Sequence, residues 1–323
     1  MDATVVIVSW NTREILRDCL QSVFGQTKDI AFEVIVVDNH SQDGSVEMVR
    51  KTFPQARVIA NTTNRGFAAA NNQGIDIAEG RYVLLLNSDT VVLDGAIQKI
   101  VAFADARPEA GVFGCRVLNS DRTLQPTCFM YPSLLNMFLS STYLYKLFPR
   151  NRFFGRERMT WWDRSDEREV EVVTGCFIMV RRKAIDQVGL LDENFFMYGE
   201  ETDWCWRFNR AGWKVLFTPE SKIIHIGGQS SRIIKHEMHL QIRASILLFL
   251  RKHRSRFVYH VSVLFVSLFY LIRLPYWLLV ALLVPNCHKE GWQTAKVYGK
   301  AVRKLISGGW AALEYNRRES QSQ

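Results

Sequence analysis

Apolar runs and helical spacing alternate along the first part of the chain. Thr4 to Ser9 form a short apolar run, and Ile15, Leu16, Leu20, Val23 and Phe24 then repeat at the spacing of one helical face. A second run, Glu33-Val34-Ile35-Val36-Val37, ends in Asp38-Asn39 and passes through the polar turn His40-Ser41-Gln42-Asp43-Gly44-Ser45 into another helix. A weaker strand covers Arg57 to Ala60. After Asn64-Arg65-Gly66-Phe67 comes a helix of small residues, Ala68 to Ala78, closed by Gly80. Tyr82-Val83-Leu84-Leu85-Leu86 then has the uncharged character of a strand buried on both faces, and it stops abruptly in Asn87-Ser88-Asp89-Thr90. This spacing predicts right-handed βαβ units and a mostly parallel sheet with helices on both faces.

Beyond a helix from Gly95 to Ala106 the period fades. Residues 120–168 are rich in aromatics and arginine, as in "FFGRERMTWWDRSDERE", and are expected to form a variable loop region that can order on a ligand. Regularity returns over Val170 to Val180 and in a helix from Arg182. The acidic segment Gly199-Glu200-Glu201-Thr202-Asp203 opens a helix through Trp204 to Ala211, stopped by Gly212. A strand from Lys214 to Phe217 leads on to Ile223-Ile224-His225-Ile226-Gly227-Gly228. A basic helix over 236–254 precedes an almost wholly apolar stretch, Phe257 to Val284, interrupted by Arg273 and Pro275. Its uninterrupted pieces, roughly 12 and 9 residues, fall short of the ~20 that a spanning helix needs. Basic residues also flank it on both sides, which disfavours a simple crossing. In-plane helices or a shallow hairpin on the cytoplasmic leaflet are expected, with a buried hairpin in a soluble domain as the plain alternative.

Composition narrows the class. A length of 323 residues allows one large α/β domain with an appendage or two ordinary domains, and 48% hydrophobic residues exclude a disordered chain. Six cysteines without a CxxC pair argue against a zinc knuckle or a disulfide framework and fit a reducing compartment. The N-terminal apolar run is too short for a signal peptide, so a cytoplasmic chain is expected. From Lys235 onward there are 14 Lys/Arg against 4 Asp/Glu, or +10, which leaves 27 against 28, or −1, for residues 1–234. Such a basic end fits nucleic acid or an anionic membrane, and the long apolar run within it favours the membrane. No GxGxxG follows the first strand and no GxxxxGK[ST] occurs, against dinucleotide oxidoreductases and P-loop NTPases.

Asp38 and Asp89 stand at the ends of two predicted strands, where open α/β sheets bind ligands. Asp38 can accept from a base N–H or a ribose hydroxyl, and Asp89 can serve a metal or phosphate site; each is equally able to form a turn, or in Asp89's case to cap a helix beginning near Asp94. Arg65 and the small-residue helix offer a place for a diphosphate, and Gly175 marks a close approach of backbone or ligand. Glu200, Glu201 and Asp203 suit the positive end of a helix. Among Phe195, Phe196, Met197, Tyr198, Trp204 and Trp206 they also suit a desolvated general base. His225, at the end of an apolar strand, is structural or a ligand.

In order, a first strand ending in Ser9-Trp10-Asn11, then "VVDNHSQDGS", "NRGFAAANNQG", "LLLNSDT", "TGCFIMVRR", "FFMYGEETDWCWR" and "HIGGQSS" resemble the family 2 inverting glycosyltransferases of the GT-A fold. They look most like the rhamnosyltransferase-like members that act on lipid-linked glycans, over about residues 3 to 231. The resemblance implies a Rossmann-like, mixed but mostly parallel sheet. Residues 1–115 would be its nucleotide-sugar-binding half, 116–234 its acceptor and catalytic half, and 235–323 a basic, apolar, helical membrane-associating region. Asp38 would hold the nucleobase with Asn39 and Asp43 nearby, and Asn64, Arg65 and Gly66 would line the diphosphate. Ser9, Asn11, Asn87, Ser88 and Gly175 complete the implied nucleotide-sugar site. Asn87-Ser88-Asp89 occupies the place of the DxD metal motif with Asn for its first acid, so Asp89 is the implied Mn²⁺ or Mg²⁺ ligand and His225 completes the shell, an imidazole favouring Mn²⁺. Glu200-Glu201 stands where the family has Glu-Asp, which makes Glu201 the base and Glu200 the fallback.

The implied reaction moves L-rhamnose from a dTDP-sugar to a hydroxyl of a polyprenyl-diphosphate-linked glycan. Its place would be the cytoplasmic face of the plasma membrane, in cell-surface polysaccharide synthesis. Alternatives are another hexose from a UDP- or GDP-sugar, or a non-catalytic, membrane-docked sugar-nucleotide or glycan-binding protein, which Asn87 and Glu201 keep open. No nucleic-acid partner is expected.

Overall fold

Four of the apolar runs become parallel strands: β1 (Ala3–Ser9), β2 (Phe32–Asp38), β3 (Arg57–Ala60) and β4 (Tyr82–Asn87), side by side in the order β3-β2-β1-β4. The computed structural model describes residues 1–142, 144–227 and 235–306, so the end of the "HIGGQSS" segment, 228–231, lies outside the described residues. Helices α1 (Arg13–Gln26), α2 (Ser45–Thr52) and α3 (Phe67–Asp76) connect the strands. Alternate side chains pack on each face. Val5, Ile7, Val34, Val36, Leu84 and Leu86 share a core with Leu16, Leu20 and Val23 of α1 and Val49 of α2, while Val6 of β1 points to α3. There Gly74 lies so close that a Cβ would stand 2.4 Å from a Val6 methyl. The small residues of α3 thus serve a tight helix–sheet contact.

The remaining strands turn this half-sheet into a mixed one. Thr90–Leu93 (β5), Ala110–Leu118 (β6), Leu124–Gln125 (β7), Cys128–Phe129 (β8), Arg168–Glu169 (β9), Val172–Val173 (β10), Phe177–Arg181 (β11) and Lys214–His225 (β12) follow along the chain. The main sheet runs β3-β2-β1-β4-β11-β6-β12-β5, with β11 antiparallel to β4 and β5 antiparallel to β12, while β8 and β10 form a separate pair. Helices α4 (Ala96–Asp105), α5 (Leu134–Thr142), α6 (Leu144–Leu147), α7 (Arg182–Val188) and α8 (Glu200–Arg210) are interspersed.

Two local expectations change. β6 falls where the period fades, because glycines replace side chains that its neighbours occupy: a Cβ at Gly114 would meet Val173 at 2.5 Å, and one at Gly111 would meet Trp213 at 2.9 Å. Asp89 does not cap a helix, since β5 intervenes and the residue before α4 is Gly95, in the left-handed conformation.

Two compact units emerge. One comprises Met1–Tyr131, Pro149–Phe196 and Glu200–Ser230, and holds the sheet; the other comprises Pro132–Phe148, Met197–Gly199 and Ser231–Gln323. In the second, α9 (Lys235–His253), α10 (Arg256–Leu283) and α11 (His288–Ile306) follow in sequence. The break expected at Arg273 and Pro275 is absent, and α10 is one helix of 28 residues, long and apolar enough to cross a membrane. Proline removes a single backbone donor here, and the Arg273 guanidinium folds back over the Phe269 ring, 4.0 Å from its centroid. The turn falls instead at Pro285–Cys287, after which α11 packs on α10: a Cβ on Gly291 would sit 2.7 Å from the Ala281 nitrogen, and Tyr298 meets Tyr270 edge to face. Of the most apolar window of α10 only 17% is buried.

Candidate active site

Register brings the functional side chains to one edge of the sheet. Ser9 pairs with Asp38 across β1 and β2, and one residue back Val8 pairs with Asn87 across β1 and β4, so three strands end in polar residues on adjacent rows of one edge. Strand β11 runs back from the same edge, with Phe177 opposite Leu86, and the Asn87 N–H donates to the Cys176 carbonyl at 3.0 Å. The edge strand β5 aligns Thr90 with His225, the last residue of β12.

Asp38 is 2% exposed, and the sheet splits the roles of its two oxygens. Oδ1 accepts from the Ser41 N–H at 2.9 Å, whereas Oδ2 is buried without a partner. A buried acceptor left open loses its hydration, so the site suits an incoming N–H or O–H donor. The neighbouring polar residues are already committed to the fold. Asn39 donates to the Gly66 carbonyl at 3.1 Å and accepts from Asn61 at 3.1 Å. Asp43 accepts from the Arg13 N–H at 2.8 Å and from both N–H and Oγ of Ser45. Burial opposes its ionisation, but the Ser45 and backbone hydrogen bonds together hold the Asp43 carboxyl below its ordinary range. Asn11, at φ 52°, accepts from the Gln42 N–H, and Ser9 Oγ lies 3.1 Å from Thr12 Oγ1, which in turn lies 3.3 Å from Ser88 Oγ.

Beside this turn, Asn64 Oδ1 accepts from the Gly66 N–H at 2.9 Å. Gly66 is required on two counts: its φ is +82°, and a Cβ would fall 2.6 Å from the Phe196 carbonyl oxygen. Arg65 is exposed, and among the described residues its guanidinium has no partner, so its charge is available at the start of α3.

The strongest feature lies at the end of β4. His225 Nε2 stands 3.2 Å from Asp89 Oδ1 and 3.4 Å from Asn87 Nδ2, and its Nδ1 stands 2.6 Å from Gln125 Oε1. The Gln125 amide nitrogen donates to Asn119 Oδ1 at 2.9 Å and to the His225 carbonyl at 3.2 Å, which leaves Oε1 to accept from His225 Nδ1. This assigns the Nδ1–H tautomer and turns the Nε2 lone pair toward Asp89. Two acceptors facing each other repel unless a cation or a proton lies with them, so imidazole and carboxylate fit a divalent ion. Among the described residues no group of three or more His, Cys, Asp or Glu side chains gathers for a metal. Asp89 and His225 are thus the two side chains at this point that could serve as metal ligands.

The three acids of α8 separate. Asp203 is fully buried and accepts from Arg207 Nε at 2.7 Å, while Arg207 also donates to the Val188 and Leu190 carbonyls. Its role is to hold the helix against the preceding loop. Glu200 is buried with Oε2 unpartnered, and burial, followed by the charge of Glu201, raises its carboxyl pKa well above the ordinary value. Glu201 is only partly buried, and Gly175 lies beside it: a Cβ there would be 3.9 Å from Glu201 Cβ and 3.6 Å from the Phe67 ring. Burial pushes the Cys176 thiol up to about 12, with the charges of Asp89 and Glu201 adding to the rise, so both carboxylates act on this one loop.

Gln125, Thr12 and Ser41 were not anticipated as site residues. Only Gln125 bears directly on a reacting group, and it lies in the stretch that has no period.

Comparison with known proteins gives a family and a fold. The family model described as "Glycosyl transferase family 2" matches residues 4–189. An N-acetylglucosaminyl-diphospho-decaprenol L-rhamnosyltransferase of Mycobacterium tuberculosis is 30% identical over 203 residues, 59% of this chain and 66% of that protein, so the aligned part is just under two thirds of the relative. Among solved structures, the mannosyltransferase PcManGT from Pyrobaculum calidifontis, in complex with GDP-Man and Mn²⁺, aligns with a TM-score of 0.54 at 15% identity over 98% of this chain and 82% of its own. S. aureus TarS 1-349 aligns at 0.52 and 16% identity over 99% and 88%.

Proposed function

The chain belongs to glycosyl transferase family 2, and on that premise we propose that it is a metal-dependent, inverting rhamnosyltransferase. It moves L-rhamnose from a dTDP-sugar to a hydroxyl of a polyprenyl-diphosphate-linked glycan at the cytoplasmic face of the plasma membrane. The observation that carries the reading is the pair of facing acceptors, Asp89 Oδ1 and His225 Nε2, held 3.2 Å apart at the strand ends. The likeness to the mycobacterial enzyme supports the sugar and the acceptor class. The largely exposed apolar α10 supports attachment to the membrane.

The protein's own groups divide the work. Asp38 accepts a hydrogen bond from the nucleobase through its open Oδ2, and the Arg65 guanidinium meets the phosphates. Asp89 and His225 would hold Mn²⁺ or Mg²⁺, which when bound neutralises charge on the departing diphosphate. Glu201 takes the proton of the acceptor hydroxyl as that oxygen attacks the anomeric carbon opposite the leaving group, which inverts the configuration. Burial and the charge of Glu201 raise the Glu200 carboxyl pKa, so Glu200 is the one of the two that more readily holds a proton, which favours Glu201 as the base.

A panel of nucleotide sugars with Mn²⁺, assayed on the full chain with a lipid-diphosphate N-acetylglucosamine acceptor, tests this. dTDP-rhamnose is expected to be the donor, and Glu201→Gln to lower kcat by roughly 10²–10⁴ with little change in donor KM. Preference for a UDP- or GDP-hexose would replace the sugar, undiminished transfer by Glu201→Gln would remove the base, and binding of a nucleotide sugar without turnover would make the protein a non-catalytic sugar-nucleotide-binding protein.

A further inference from the structure

One feature of the sheet-bearing unit takes no part in the chemistry above. Met130, Arg152, Phe153, Arg156, Met159 and Trp161 line an open hollow of about 340 Å³. Its walls are apolar, yet two of its six residues are arginines. Arg152 stacks on Trp161 with its guanidinium carbon 4.6 Å from the ring centroid, and Arg156 Nε is buried without a hydrogen-bond partner. Neither guanidinium has a carboxylate within ion-pair distance among the described residues, and the same holds for nearby Arg150. Arg164, 1% exposed, donates to the carbonyls of Met159, Trp162, Arg158 and Cys128, which pins the turn that carries Met159.

The hollow is tied to the catalytic edge. Met130 directly follows β8, whose Cys128 pairs with Val173 of β10, and β10 leads into Thr174-Gly175-Cys176 beside Glu201. The Thr174 N–H donates to the Thr127 carbonyl at 3.1 Å. Tyr131 packs edge to face on Trp206 of α8, 4.9 Å between centroids.

A pocket with uncompensated guanidinium forks and an apolar lining is complementary to an anion covalently joined to hydrocarbon. We infer that it binds the diphosphate and the first isoprene unit of the acceptor lipid. Arg152 and Arg156 take phosphate oxygens, one fork for each phosphate, and Phe153, Met159 and Trp161 cover the first prenyl carbons. The inference rests on the lipid-acceptor reading above. It explains why an aromatic, arginine-rich stretch without a period stays ordered beside the base helix. The volume lies at the low end for ligand pockets, which suits a headgroup and its first carbons rather than a whole polyprenyl chain.

The test is calorimetric binding of farnesyl diphosphate to the full chain, with neither donor nor metal present, comparing wild type with the double variant Arg152→Ala, Arg156→Ala. The variant is expected to bind at least about tenfold more weakly, the loss that one charge-assisted hydrogen bond produces. Its binding of dTDP with Mn²⁺ should be unchanged, and the wild type should bind farnesol and inorganic diphosphate more weakly than the joined molecule. Equal binding by both proteins, no binding by the wild type, or displacement of farnesyl diphosphate by dTDP would overturn the assignment. So would a variant that loses only its adsorption to phosphatidylglycerol vesicles, which would give the hollow to bulk lipid. Because no sugar is transferred, this result stands apart from the test of the glycosyltransferase reading.

Discussion

Two regions of this protein break the ordinary rule of burial in opposite senses. At the candidate site, Asp38 Oδ2 and Glu200 Oε2 are buried without partners, and Asp89 Oδ1 faces His225 Nε2 at 3.2 Å. Along α10 it is apolar side chains that stand exposed, Leu271, Ile272, Leu279 and Leu283 among them, the last at 72%. Each arrangement is unfavourable for a protein alone in water, one through lost hydration and the other through exposed hydrocarbon. Both are incomplete surfaces, which on the proposed function a nucleotide sugar with a cation would complete in the first case and a membrane in the second.

The largest expected effect breaks the polar side of that comparison. Asp89→Ala removes one of the two facing acceptors and should lower transfer by about 10³-fold or more while leaving the melting temperature near that of the wild type. Transfer retained within a few-fold would mean that the pair holds no cation. On the apolar side, Leu271→Arg places a charge near the middle of α10, where insertion is disfavoured by about 2.5–3.5 kcal/mol. Partition into anionic liposomes, read by co-sedimentation, is then expected to fall about a hundredfold; unchanged partition would return α10 to the role of a protein-covered helix. Asp38→Ala is a milder probe. It should raise donor KM about tenfold, from loss of one charge-assisted hydrogen bond, with kcat little altered.

The smallest effect concerns stability. Burial raises the Glu200 pKa in the folded protein above the ordinary 4.5, so between these values the folded state holds the extra proton. The contribution is fully present below 4.5 and is lost as pH rises toward the folded value. Glu200→Gln carries no such titration. It should melt higher than the wild type at pH 8, by roughly 2–4 °C for each 1 kcal/mol relieved, and the difference should close as pH approaches 4.5. A wild-type pH slope that survives the substitution would assign the dependence to another group.

Much of the architecture was legible along the chain. β1 to β4 are short apolar runs between helical patterns, and their boundaries differ from expectation by about a residue. β6 was not legible, because Gly111 and Gly114 weaken the strand pattern for the sake of Trp213 and Val173, residues far away in sequence. α10 was misjudged at Arg273 and Pro275 because a local break signal was weighed without the packing of Gly291 against Ala281 that continues the helix–helix contact beyond it. In the site, Asp38, Asp89, Glu200, Glu201 and His225 were visible as residues, whereas the division of labour among the acids was not. Nothing in "GEETDWCWR" tells that Asp203 goes to Arg207, that Glu200 is sealed in, and that Glu201 stays partly open.

Local periodicity therefore accounts for the parallel strands, the acidic start of α8 and the chemistry present at each strand end. It can do so because alternation and helical spacing are properties of neighbouring residues. The meeting of Asn87 with His225, 138 positions apart, and the tautomer set by Gln125 belong to the folded sheet. They depend on the antiparallel return of β5 against β12 and on the register between them, which no segment carries within its own sequence.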